Sequence, residues 1–350
     1  MRMLKDLSCE IEDTNSFHWG FEKFNNDASP IALSIGYNAL SSQALRPSLF
    51  SPTKWVLFNN WAPCEYAQNP VIENLDAIMA EEKFDYVLSI CPYTSNWLNE
   101  TAEVAKHLYC FYPYSNSIVP SHFEKEFDVL YHGGIHGKEH KKMLKIMKQF
   151  TYAYSSLSYG INRATRQALK DATHIDMSFQ DKINLVAKSK ISICFNLIHV
   201  SGKHLTKFRE YSSKSRSSLK LIQGLSRFGF MKNYPWIGVL PQFKTRVHEA
   251  AVSRTINLVY RDKWNIIEDY YEPESEFIYF SSMEDLSRKI EFILDNWESS
   301  DIQSIIERAY LKSKRYTSQN FVEYYSQILQ TSNPISCPKF NQSEFWKNKL

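Results

Sequence analysis

The sequence has little that would tie it to a disulfide scaffold, a zinc site or a membrane. Its six cysteines, Cys9, Cys64, Cys91, Cys110, Cys194 and Cys337, lie far apart, with no CxxC pair and no zinc-like spacing. Reduced, mostly buried thiols are therefore expected. No apolar run approaches the ~18 residues of a membrane span, and the N-terminus, MRMLKDLSCEIEDTN, has no signal-like apolar region. A soluble cytoplasmic protein is the expectation. Charge of one sign is scarce overall: the net charge is only +3 over 350 residues. A dedicated nucleic-acid binder would normally carry a strongly basic domain, so no nucleic-acid partner is expected.

The length suits two domains of ordinary size. In the first half, short apolar runs predict strands at 31–36 (IALSIG), 55–58 (WVLF), 85–90 (DYVLSI) and 108–112 (LYCFY), with a crossover helix over 69–83. Continuous rather than alternating apolar runs favour parallel strands covered on both faces. The segment YPYSNSIVP, residues 112–120, breaks the pattern, which restarts at DVLYHGG. Strands are then predicted at 129–132, 152–157, 191–198 (ISICFNLI), 255–260 and 277–280. Helices are predicted around Met143, Leu144, Met147 and Phe150, around Phe179, Ile183, Val186 and Ala187, and from an N-cap at Ser282 through Leu286, Ile290, Ile293, Leu294 and Trp297. The expected fold class is α/β, with two Rossmann-like doubly wound domains facing a cleft. Expected boundaries are 1–120, 121–330 with an insertion at about 199–244, and a tail at 331–350.

The insertion is the most one-sided part of the chain. Residues 199–246 hold ten lysines and arginines against one acid, Glu210, with interspersed aromatics and serines. A solvated loop, a binding element for an anionic or lipid-linked glycan, and an attachment to anionic membrane all fit this composition.

Three groups of residues could carry chemistry. The turn His132-Gly133-Gly134-Ile135-His136-Gly137-Lys138 precedes a helix, where glycines allow close backbone approach and free N–H groups favour phosphate. It lacks both GxxxxGK[ST] and GxGxxG, so a plain tight turn remains the alternative. Arg246 and Glu249 are three residues apart and share a helix face. A guanidinium binds phosphate bidentately and a carboxylate accepts from a sugar diol, whereas an ordinary i, i+3 salt bridge on a solvated helix is the plainer reading. A catalytic base for an inverting transfer should come from the N-terminal domain. Glu65 in FNNWAPCEY is the first candidate and His18 the second, with a loop or capping role as the alternative for Glu65. A retaining enzyme would need no such base.

The blocks TRVHEAA, NLVY, EFIYFSSMEDL, KIEFILDNW and IIERAYLKSKRYTSQNFVEYY together resemble the C-terminal half of GT-B glycosyltransferases, nearest to the CgeB-like (spore maturation protein) group. The resemblance covers residues 125–198 and 246–330. It implies a nucleotide-sugar donor, with UDP or GDP as the nucleotide. Glu249 would hold the ribose, Arg246 and Lys244 would neutralise the diphosphate, and Gly133 and Gly134 would cradle it. Lys138 and Asn196 complete the donor set. No metal and no other cofactor is implied, because protein cations stabilise the leaving diphosphate. The chain departs from the family after the glutamate, where Ala250-Ala251-Val252-Ser253 replaces a small-residue pattern that usually includes glycine.

A glycosyltransferase acting on a glycan or other hydroxyl acceptor, cytoplasmic or peripheral to a membrane, is thus the leading expectation. A nucleotide-sugar epimerase of the same fold and a non-catalytic module binding polyanion or membrane through the basic segment are its rivals.

Overall fold

The computed structural model describes residues 10–14, 17–22, 31–35, 54–59, 86–90, 106–115, 120, 124–135, 137–156, 173–201 and 237–321. The chain divides into two units. One comprises residues 1–112, 197–243 and 318–350, the other residues 113–196 and 244–317. The described ends of the basic segment thus group with the first unit, and the second unit is discontinuous in sequence.

In the first unit, β1 (Glu10–Thr14), β2 (Phe17–Glu22), β3 (Ile31–Ile35), β4 (Lys54–Asn59), β5 (Tyr86–Ser89) and β6 (Lys106–Tyr109) form one sheet in sequential order. The β1–β2 and β2–β3 pairs are antiparallel, and β3 to β6 are parallel. Three of the strands read from apolar runs are present within a residue or two of their expected bounds, and the fourth, expected at 108–112, is shifted to Lys106–Tyr109. A doubly wound sheet was expected here, but the described strands show no reversal of order. Apolar runs mark buried strands and say nothing about which strand becomes whose neighbour. The predicted helix over 69–83 lies outside the described residues.

The second unit begins with β7 (Phe127–His132), α1 (Gly137–Met147), β8 (Tyr152–Ser156), β9 (Thr173–Ile175), α2 (Phe179–Ala187) and β10 (Ser189–Cys194). The predicted strand over ISICFNLI is interrupted: β10 stops at Cys194, and after Phe195 and Asn196 a new strand, β11 (Leu197–Ser201), pairs antiparallel with β12 (Ile237–Pro241) in the first unit. The second unit then resumes with α3 (Arg246–Val252), β13 (Ile256–Tyr260), β14 (Ile278–Phe280), α4 (Met283–Asp295) and α5 (Ser300–Ser313).

Its sheet runs in the order β14-β13-β10-β7-β8-β9, with every pair parallel. Strand order reverses between β7 and β10. In open α/β sheets the crevice at the carboxyl ends of such a pair is where ligands bind.

The alternation of side chains along the strands builds the two faces. On one, Val129 and Tyr131 of β7 and Ile191 and Ile193 of β10 pack with Met143, Leu144 and Met147 of α1 and Leu286, Ile290 and Ile293 of α4. On the other, Leu130 and Ala153 meet Leu185 and Val186 of α2 and Ala250 of α3. Each large aliphatic side chain so buried contributes about 1.5–3 kcal/mol. Ser282 caps α4 as its position predicted, accepting from the Asp285 N–H at 3.1 Å, while the Ser281 N–H donates to the Asp285 carboxylate at 2.9 Å. Ser178 caps α2 in the same way. Each cap satisfies a helix N–H that has no partner within the helix.

Candidate functional site

At the carboxyl end of β7 the chain turns through Gly133 and Gly134. Gly133 has φ +131°, a conformation that L side chains rarely adopt, and its N–H donates to the Ser155 carbonyl at 2.8 Å. Two buried tyrosines fix the turn from beneath: Tyr154 donates its hydroxyl to the Gly133 carbonyl and Tyr131 to the Gly134 carbonyl, each at 2.9 Å. Burial pushes the Tyr154 phenol up to about 12, so it remains a hydrogen-bond donor.

The missing side chain of Gly133 makes room for Arg246. A Cβ built on residue 133 would lie 2.5 and 2.6 Å from the two terminal guanidinium nitrogens. The guanidinium also sits 5.5 Å from the Tyr131 ring centre, a cation–π contact. Burial opposes its charge, but Tyr131, Cys194 and Glu249 nearby raise its pKa further, and it stays a cation.

Glu249 lies one turn along α3 from Arg246. The plainer sequence reading, a mutual salt bridge on a solvated helix, does not describe the pair. Residues 247–252 are all buried, and Glu249 pairs instead with Lys182 of α2, Nζ to Oε1 at 2.7 Å. Its other oxygen lies 3.3 Å from His132 Nε2 without the alignment of a hydrogen bond. Burial, with Arg246 and Lys182 adding to it, holds the His132 pKa well below 6.5, so the imidazole is neutral.

At the end of β10, the Asn196 side-chain oxygen accepts from the Lys244 N–H at 3.0 Å and from the Cys194 thiol at 3.6 Å. With Oδ1 so occupied, the amide Nδ2 is buried with no hydrogen-bond partner. Burial pushes the Cys194 thiol up to about 11 and keeps it protonated. On the far side of α3, His248 Nδ1 lies 2.7 Å from the Tyr271 hydroxyl, within a ring of Tyr114, Tyr270 and Tyr316 that anchors the helix.

Of the residues expected to hold a donor, Gly133, Gly134, Asn196, Lys244, Arg246 and Glu249 all belong to the second unit, around the carboxyl ends of β7 and β10. Lys138 lies in the first turn of α1, and only its backbone is described. Of the candidate bases, Glu65 lies outside the described residues, and His18 is a backbone position in β2. Sequence reasoning missed Lys182, and it named His132 only as the first residue of the glycine turn, with no role beside Glu249. Lys182 carries no motif and sits beside the apolar stripe of α2, so only the packing of α2 against α3 reveals it. Among the described residues, no group of three or more His, Cys, Asp or Glu side chains is placed to hold a metal ion, and no helix is long and apolar enough to cross a membrane.

No protein-family model matches the chain, and no curated protein sequence matches it. Solved structures do. HepE of Anabaena in complex with UDP-glucose aligns with TM-score 0.54 at 10% identity, covering 85% of this chain and 78% of that one. Sucrose-phosphate synthase of Thermosynechococcus elongatus aligns with TM-score 0.53 at 9% identity, covering 86% and 73%. TarM aligns with TM-score 0.52 at 10% identity, covering 86% of this chain but only 55% of its own length. At 10% identity or less, these likenesses show the fold alone, an α/β fold with parallel sheets.

Proposed function

We propose that the protein is a glycosyltransferase of GT-B type that takes a sugar from a UDP- or GDP-sugar and transfers it to a hydroxyl of a glycan or related acceptor in the cytoplasm. The observation that carries this reading is the placement of a fixed guanidinium, Arg246, against Gly133 and of the Glu249 carboxylate one turn away, at the reversal of strand order. A diphosphate needs the first and a ribose the second. Lys244 would add positive charge and Asn196 Nδ2 a donor for a ligand oxygen. HepE, captured with UDP-glucose, is a structural neighbour that binds such a donor.

In the transfer, the bond between the anomeric carbon and the diphosphate oxygen breaks and a bond from the acceptor oxygen forms. The hydroxyl proton passes to a base, for which Glu65 and then His18 are our candidates. The diphosphate leaves with its charge balanced by Arg246 and Lys244, a task that needs no metal. On this reading the first unit serves the acceptor, and the basic segment is an insertion that contacts an anionic acceptor. The narrower likeness to the CgeB-like group belongs to the same proposal.

The test is thermal stabilisation by UDP, GDP, CMP, dTDP and ADP without metal, with Glu249→Ala and Glu249→Gln alongside. A ligand at 100 times its Kd raises stability by about 2.7 kcal/mol. A shift with UDP or GDP that both variants lose is expected. No shift with any nucleotide overturns the reading.

A further inference from the structure

Lys125 is a half-buried lysine whose charge meets only neutral oxygens. Four of them surround the ammonium: the carbonyls of Ala187, Ser189 and Arg254 at 2.9, 2.9 and 3.0 Å, and the Thr255 hydroxyl at 3.2 Å. An ammonium has three N–H groups, so four acceptors are more than it can meet with one linear bond each. The arrangement is that of ion coordination, in which carbonyl oxygens replace the hydration shell of a cation.

The fold itself sets these oxygens in place. Ala187 closes α2, and its carbonyl is among those at a helix end that have no partner within the helix. Arg254 follows α3 in a left-handed turn with φ +52°, which residues other than glycine seldom adopt. The carboxyl ends of two helices, each the negative end of its dipole, thus meet at one point. Thr255 is buried, and its hydroxyl hydrogen goes to the Val186 carbonyl at 2.8 Å, which leaves its lone pairs for Lys125.

Among the described residues no carboxylate pairs with Lys125. The neighbouring acids are committed elsewhere, Glu126 to Lys188 at 2.9 Å and Glu307 to Arg254. Four neutral oxygens suit a single positive charge, whereas a divalent ion draws carboxylates into its shell.

We propose that the carbonyls of Ala187, Ser189 and Arg254 and the hydroxyl of Thr255 form a monovalent-cation site whose resident ion is the Lys125 ammonium, and that a free ammonium or potassium ion takes the same place when the lysine side chain is removed. The site lies at the amino ends of β10 and β13 and is independent of the donor-site reading.

The experiment is thermal unfolding of the full chain, as wild type, Lys125→Ala and Lys125→Met, in the chlorides of ammonium, potassium and tetramethylammonium at equal ionic strength and neutral pH. For Lys125→Ala the midpoint in ammonium or potassium is expected to lie about 2 °C or more above that in tetramethylammonium, a cation too large for the site. Folding of this variant in potassium but not in tetramethylammonium would be the same result in stronger form. Wild type, whose own ammonium fills the site, and Lys125→Met, whose side chain covers the oxygens, show no such difference. Equal midpoints for Lys125→Ala in all three salts, or an equal response from all three proteins, overturn the site. If Lys125→Ala folds in none of the salts, Lys125→Arg decides by urea denaturation. A planar guanidinium cannot sit within the four oxygens, so a loss of stability with the charge kept supports the site, and a variant as stable as wild type overturns it.

Discussion

The guanidinium of Arg246 occupies the space that a side chain at residue 133 would need: a Cβ there would lie 2.5 Å from its nearer terminal nitrogen. Gly133→Ala must therefore displace the guanidinium and also adopt φ near +131°, where alanine is strained. We expect a destabilisation of about 1–3 kcal/mol from the backbone alone. Nucleotide affinity should fall as well, because the cation moves. Urea denaturation with calorimetric titration checks both; unchanged affinity would show that the position of Arg246 does not matter to the ligand.

Lys182 and Glu249 form a largely buried pair, with side chains 25% and 3% exposed. Removing one partner of such a pair leaves a charge without compensation in a poor solvent for it. Lys182→Met should cost about 2 kcal/mol or more, somewhat below a fully buried pair because Lys182 keeps some water. Adding Glu249→Gln to that variant should recover part of the loss. A double-mutant cycle in urea measures the coupling, and an energy near zero would contradict the pairing.

His132 gives the fold a pH dependence with a definite sign. Its pKa lies well below 6.5 when folded, held down by burial and then by Arg246 and Lys182. The unfolded chain therefore binds more protons below about pH 6.5, and stability, fully present above that value, falls as the pH drops toward the folded pKa. One proton gives a slope of at most about 1.4 kcal/mol per pH unit. The stability difference between wild type and His132→Asn, followed from pH 7.5 to 4.5, should shift in favour of the variant on the acid side. A constant difference would mean that the histidine titrates normally.

Lys125 ties two turns at the opposite end of the same sheet. Its ammonium donates to the carbonyls of Ala187, Ser189 and Arg254 at 2.9, 2.9 and 3.0 Å, and to the Thr255 hydroxyl at 3.2 Å. These groups lie where α2 enters β10 and where α3 enters β13. Lys125→Met should cost about 1.5–3 kcal/mol, the scale of hydrogen bonds to a charged group. Nucleotide affinity should not change, because the amino ends of the strands are remote from the site. Denaturation midpoints and a binding isotherm on the same preparation separate the two effects.

Much of the second unit was legible in the sequence. Its strands are apolar runs because both faces of a parallel sheet are covered, and α4 announced itself through Ser282, Asp285 and a stripe of Leu286, Ile290 and Ile293. Arg246, Glu249 and the Gly133-Gly134 turn were legible as candidates because glycines allow close backbone approach and a guanidinium suits phosphate, although a tight turn and a surface salt bridge use the same residue types. The run ISICFNLI misled, because its composition continues through the break at Phe195 and Asn196, where the chain leaves one sheet for another.

By itself the sequence determined many of the strands and helices and offered candidates for contact with a phosphate or a sugar, since periodicity and residue chemistry are local properties. The tertiary structure alone decided the order of the strands, and with it where they reverse. It also decided that Glu249 takes Lys182 rather than Arg246 as its partner, and that His132 stands neutral beside it. Those outcomes depend on residues 67 and 117 positions from Glu249 meeting across a packed sheet face, and no local pattern encodes such a meeting.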